Sequence, residues 1–86
     1  MPRFHFDVHD GLLFVPDEEG LELDGFDSAK REATEAVLEI GRDRLKSEDS
    51  RAVTIEVRDE HRRQVLTVTV SLEINGVDPE PRPPRA

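Results

Sequence analysis

The chain has 86 residues, of which 37% are charged and 35% hydrophobic, and its formal net charge at pH 7 is −8. A chain of this length forms one domain. A domain this small buries only about 60–65% of the surface that its unfolded form exposes, so a deep enzyme pocket is hard to accommodate. The lack of cysteine excludes disulfides, thiolate zinc sites and cysteine nucleophiles, and it fits a reducing compartment.

Charge and hydropathy also restrict partners and location. Residues 4–29 contain eight Asp or Glu and no Lys or Arg, whereas binding to nucleic acid needs a basic face. No apolar run approaches membrane length, and the N-terminus lacks a basic-then-apolar signal segment. We therefore expect a cytoplasmic protein that binds neither nucleic acid nor membrane.

The first predicted strand, residues 3–9, alternates apolar and polar side chains, so its two faces differ. The apolar face consists of Phe4, Phe6 and Val8. The outward face carries His5, Asp7 and His9. The turn at Asp10-Gly11 leads to a second apolar run over residues 12–15, which predicts a hairpin.

An acidic turn over residues 17–20 follows, in which Gly20 is expected to take a positive φ. Residues 21–23 return briefly to alternation. The helix is predicted over residues 26–46 from apolar side chains at spacings of three and four. Asp24, Asp27 and Ser28 are candidates for its N-terminal cap or first turn. Small alanines along its inner face predict close approach to the sheet.

Two clear alternating strands close the domain, one over residues 53–57 and one over residues 66–74, joined by a turn over residues 59–64. The predicted fold is therefore α+β (ββαββ), an antiparallel sheet of about four strands with one helix on one face. The domain is expected to span residues 1–75, followed by a disordered proline-rich tail over residues 76–86.

The outward histidines are the one group of side chains that suggests chemistry. His5, Asp7 and His9 would offer three ligands to a divalent metal, with Asp10 as a fourth from the turn. Adjacent outward side chains on a flat strand diverge, however, and a solvated strand face gives the same pattern. No nucleophile with a recognisable base and no phosphate-binding loop is present in the sequence. We therefore assign no catalytic, cofactor or metal site and expect no enzyme activity.

The chain resembles a family of short uncharacterised bacterial proteins that share a domain of unknown function. The resemblance covers residues 1–70. It is carried by the Met1-Pro2-Arg3-Phe4 opening, the Asp10-Gly11 and Asp17-Glu18-Glu19-Gly20 turns, the start of the helix at residues 29–36, and residues 57–60 leading to 66–68. It implies a strand-strand-helix-strand-strand unit. The chain departs from the family where Arg62 replaces a glycine that is common in the last turn, and where Asp24-Gly25 replaces a proline-aspartate pair.

The function expected from the sequence is a small acidic, noncatalytic protein-interaction or regulatory module with an unknown protein partner. Self-association, if it occurs, is expected through a strand edge or through the threonine-rich sheet face. The alternative is a metal-binding protein or small metal-dependent hydrolase that uses His5, Asp7 and His9.

Overall fold

A computed structural model describes residues 1–11, 13–47 and 51–77 of the chain. The elements follow the predicted order, with a third short strand before the helix. They are β1 (Arg3–Asp10), β2 (Leu13–Val15), β3 (Leu21–Glu22), α1 (Phe26–Lys46), β4 (Ala52–Arg58) and β5 (Gln64–Ser71). The α+β fold is confirmed, and the helix has the predicted bounds. Most of the expected proline-rich tail lies outside the described residues.

The strands form one antiparallel sheet in the order β2-β1-β4-β5, and β3 pairs with the start of β1. Because Val8 pairs with Val15 and Phe4 pairs with Leu21, the chain places residues 16–20 opposite only residues 5–7. Five residues on the edge thus lie opposite three residues of β1, and such an excess of residues on one strand forms a bulge. Strands β2 and β3 are therefore two short pieces of one interrupted edge.

The helix covers only part of the sheet. It packs over β4 and β5, approaches β1 marginally, and within the described ranges makes no close approach to β2 or β3. The core lies between the helix and the middle of the sheet and consists of Phe4, Ala29, Ala33, Val37, Val53, Ile55 and Val57. Ala29 and Ala33 have no exposed surface, which confirms the predicted close approach. The helix side of β2 is left uncovered by α1, and that of β1 is covered in part.

The helix begins without a side-chain cap. Gly25 occupies the cap position and no side chain bonds there, so none of Asp24, Asp27 and Ser28 caps the helix. Asp27 lies in the first turn, the other position expected for it, and Arg44 and Lys46 lie in the last, so these charges complement the helix dipole. Within the part of the chain that the structure describes, no helix is long and apolar enough to span a bilayer.

Candidate functional site

The polar face of β1 carries the predicted residues, but it is not an open surface. Val53, Ile55 and Val57 of the neighbouring strand β4 are buried beneath the helix, so His5, Asp7 and His9 lie on the opposite face. His5 and His9 are half-buried. Asp7 is only 3% exposed. The expectation that the three side chains share a face is therefore right, and the expectation that Asp7 is solvated was wrong.

Asp7 is buried because an arginine from β4 and a backbone amide occupy both of its oxygens. Arg58 donates from Nε to Oδ2 at 2.6 Å and from Nη2 to Oδ1 at 3.1 Å, and the backbone N–H of Asp17 donates to Oδ1 at 2.9 Å. This forked geometry is the strongest form of arginine–carboxylate pairing. The hydrogen bond from Arg58 holds the pKa of Asp7 below its ordinary value, although burial opposes it. The pKa of Arg58 is raised by the same bond.

Asp17 fills the gap between the two pieces of the edge. Its Oδ2 accepts the backbone N–H of Phe6 at 3.0 Å, and its Oδ1 accepts those of Glu19 and Gly20 at 3.2 and 3.1 Å. The carboxylate thus replaces a strand as the hydrogen-bond partner of β1. Burial alone would raise the pKa of Asp17, but these amide hydrogen bonds outweigh it and hold the pKa below its ordinary value.

Gly20 makes the turn around Asp17 possible. Its φ of +76° confirms the predicted positive value, and a Cβ there would lie 2.9 Å from the carbonyl oxygen of Phe4. An acidic turn was predicted over residues 17–20, but the role of Asp17 as a hydrogen-bond partner of β1 was not. The signal was present, because an aspartate that precedes a glycine by three residues is typical of a side chain that bonds its own turn.

The two histidines have different surroundings. His5 Nδ1 lies 2.9 Å from the carbonyl oxygen of Asp17, and because a carbonyl oxygen only accepts, Nδ1 is the donor of this hydrogen bond. His9 Nε2 lies 3.4 Å from Glu56 Oε2 without forming a hydrogen bond. The centre of its ring lies 4.5 Å from that of Phe14, and the two rings are tilted by 39°. Each ring is thus held by its own neighbours.

The candidate metal ligands do not converge. Among the residues in the described ranges, no group of three or more histidines and carboxylates is placed to hold a metal ion. Asp10, the candidate fourth ligand, is buried at the end of β1 and forms an ion pair with Arg44 of the helix, so it belongs to the opposite face. The structure therefore separates Asp10 from His5 and His9 and binds both oxygens of Asp7 to other groups.

A shallow, polar depression of about 470 Å³ opens beside His5. Its walls are His5, Pro16, Asp17, Glu18, Arg58, Glu60 and Arg62. These residues include no hydroxyl, thiol or amine nucleophile. Asp17 and Arg58 are held by the hydrogen bonds already described. The depression offers polar contacts from His5 and from the charged side chains of Glu18, Glu60 and Arg62.

An apolar surface lies at the β2 edge of the sheet. Leu13, Phe14 and Val15 are consecutive and are 50%, 50% and 53% exposed. Leu21 of β3 is also exposed, at 41%. We call these four residues the β2 patch. Leu13, Val15 and Leu21 lie on the helix side of the sheet, where α1 covers β4 and β5 but not β2 or β3 among the described residues. Phe14 pairs with His9 and lies on the opposite face. The sequence predicted the β2 hairpin but not this exposure.

Comparison with known proteins yields a family and no individual relative. Neither the curated proteins nor the solved structures contain a match to this chain. A family profile, described as a domain of unknown function, matches residues 3–71. That range begins at the first residue of β1 and ends at the last residue of β5, so it contains every element of the fold. The chain belongs to the family of the domain of unknown function DUF6894.

Proposed function

We propose that this chain is an acidic, noncatalytic protein-interaction module that binds a basic protein segment through the β2 patch. The observation that carries the proposal is the run Leu13-Phe14-Val15, in which three consecutive apolar side chains are half exposed. Such runs favour aggregation and are unfavourable on a surface that has no partner. Phe14 lies on one face of the sheet and the other three side chains on the other, so the exposure is best explained by a partner that wraps around the β2 edge and contacts both faces.

The size of the β2 patch sets a limit on what apolar contact alone contributes. Full burial of a valine, leucine or phenylalanine is worth about 1.5–3 kcal/mol, so four half-exposed side chains supply roughly 4 kcal/mol. That free energy corresponds to a Kd of about 1 mM. A functional affinity thus needs additional polar or charged contacts.

Charge next to the β2 patch indicates the chemistry of the partner. Between the end of β2 and the start of α1 the chain exposes four acidic side chains, those of Glu18, Glu19, Glu22 and Asp24. A partner with lysine or arginine around an apolar anchor gains attraction there, whereas an acidic partner is repelled. We expect the interaction to take place in a reducing cytoplasm, an expectation supported by the absence of cysteine.

The test is affinity capture with three forms of the full chain: wild type, Phe14→Ser and the matched control Leu38→Ser. Leu38 is an exposed apolar residue of the helix, 55% accessible, and lies outside the β2 patch. Captured proteins are then purified and titrated against each form at low and high salt. We expect a partner with a basic contact segment that binds wild type and Leu38→Ser equally, binds Phe14→Ser at least tenfold more weakly, and loses affinity with salt. Equal binding by all three forms would show that the β2 patch is not the binding surface.

A further inference from the structure

The β5 edge, Gln64–Ser71, is an uncharged strand in a chain that is rich in charge. β5 is the terminal strand of the sheet and pairs only with β4 among the described strands, so alternate backbone N–H and C=O groups along its outer side have no strand partner. Residues 64–72 contain no charged residue, no proline and no glycine. An eight-residue edge strand of this composition is a template for pairing with another strand.

The opposite edge of the sheet shows the protection that β5 lacks. There the strands are only three and two residues long, and they are separated by a bulge that contains Pro16 and three acidic residues. Short strands, bulges, proline and charge are the features by which natural sheets prevent edge-to-edge pairing. Of these features β5 has only one irregularity near its start, where the pairing with β4 skips Val65. The rest of the strand has none of them, which distinguishes β5 as the edge available for pairing.

We propose that the β5 edge pairs antiparallel with the β5 edge of a second copy of this chain, so that two sheets form one continuous sheet across a twofold axis. Two chains of net charge −8 repel each other wherever their acidic surfaces meet. The uncharged β5 edge is a surface on which copies can meet without placing like charges opposite each other.

Side chains on both faces of β5 suit a twofold contact, in which the same surface of each copy faces its counterpart. Thr67 and Thr69 are exposed on the face opposite the helix, and threonine pairs across antiparallel strands are favourable. On the helix side Leu66, Val68 and Val70 are half-buried against the core, so a second copy would extend the apolar layer. The proposal does not involve the β2 patch, and either can fail without the other.

The first measurement is the mass of the full chain by sedimentation equilibrium over a hundredfold range of concentration. We expect a reversible transition from monomer to dimer. A chain that stays monomeric at several hundred micromolar overturns the proposal. If the full chain is monomeric and a form truncated after Val77 is dimeric, the edge is covered by the chain's own C-terminal segment, which also overturns it.

Charge substitutions then locate the contact. The double variants Thr67→Lys/Thr69→Lys and Thr67→Glu/Thr69→Glu each place like charges at the centre of the proposed contact, and we expect each to dimerise at least tenfold more weakly than wild type. Mixed one to one, the two variants should form a heterodimer. Thr34→Lys, the same substitution at an exposed helix position, should dimerise like wild type.

Circular dichroism confirms that each variant is folded before its mass is measured. If the glutamate variant does not fold beside Glu56, the lysine variant and Thr34→Lys still decide the question. A lysine variant that is folded and dimerises as tightly as wild type shows that the interface lies elsewhere.

Discussion

Gly41 of the helix lies directly against Val70 of β5. A Cβ built on Gly41 would come within 2.7 Å of Val70 Cγ1, which is closer than two carbon atoms can pack. The sequence suggests that this glycine merely interrupts the helix. In the fold Gly41 is buried, and its lack of a side chain allows the helix to approach β5. The lower helix propensity of glycine is therefore accompanied by closer packing.

We predict that Gly41→Ala lowers the free energy of unfolding by about 1 kcal/mol. Alanine gains roughly 1 kcal/mol of helix propensity over glycine, but forcing an extra methyl group into a packed interface costs about 1–3 kcal/mol. The stiff side chain of Val70 has little freedom to move aside. Urea denaturation measures the change.

A double variant identifies the cause. Val70→Ala removes Cγ1, the atom that a Cβ on Gly41 would meet. In the Val70→Ala chain, Gly41→Ala should therefore raise the free energy of unfolding, by up to roughly 1 kcal/mol, the difference in helix propensity. If Gly41→Ala alone is stabilising, the helix does not lie as close to β5 as the structure shows.

For the buried ion pair we predict that Asp7→Asn lowers the free energy of unfolding by about 2 kcal/mol at pH 7. The substitution keeps the shape of the side chain but leaves Arg58 without its charged partner, and hydrogen bonds to charged groups contribute roughly 1.5–3 kcal/mol. Asp43→Asn, at an exposed helix position, serves as the matched control and should change stability by less than about 0.5 kcal/mol.

The pH dependence of the same pair has a definite sign. The pKa of Asp7 is lower in the folded chain than its ordinary value of 3.8, so the unfolded chain binds this proton more readily as the solution is acidified. The stabilisation is therefore complete well above pH 3.8 and is lost as the pH falls through the folded pKa. We expect the difference in stability between wild type and Asp7→Asn to shrink below about pH 4. A difference that stays constant down to pH 2 would contradict the lowered pKa.

The elements of this fold were predictable because they follow from local periodicity. Alternation defined β1, β4 and β5, and a spacing of three and four defined the helix from Phe26 to Lys46. The surroundings of the polar side chains were not predictable in this way. Alternation places Asp7 on a face of β1, but the arginine that pairs with it lies 51 residues away in the chain.

Dependence on distant parts of the chain also explains the other differences between the predicted and the observed candidate site. Asp10 pairs with an arginine 34 residues away, so nothing near it in the sequence distinguishes a metal ligand from an ion-pair partner. The exposure of Leu13 and Val15 depends on which strands the helix covers, and local pattern does not determine that. Gly20 could be predicted because its positive φ is a property of the turn itself.

We predict that Arg62→Gly raises the melting temperature by about 2–6 °C. Arg62 has a φ of +68°, a left-handed conformation that costs a residue with a Cβ about 1–2 kcal/mol and costs glycine little. The greater freedom of glycine in the unfolded chain offsets about 0.4–1 kcal/mol of this gain, which leaves a net of roughly 0.5–1 kcal/mol. Arg62→Ala is the control, because it removes the charge and keeps the strained backbone, and it should leave the melting temperature nearly unchanged. Calorimetry that shows equal shifts for both variants would assign the effect to the charge.

Zinc binding tests the alternative function at the histidines. A metal site on β1 would have to take Asp7 from Arg58 and the backbone N–H of Asp17, and converge it with His5 and His9, which each have other neighbours. We therefore predict that one equivalent of zinc leaves the melting temperature unchanged, since only a ligand that binds the folded chain preferentially stabilises it. His61, in the exposed turn between β4 and β5, supplies the matched control, because His61→Ala removes any weak zinc binding by a solvated histidine. Zinc that binds more tightly than about 1 µM and raises the melting temperature of wild type and His61→Ala, but not of His5→Ala or His9→Ala, would establish the metal site and replace the interaction module as the proposed function.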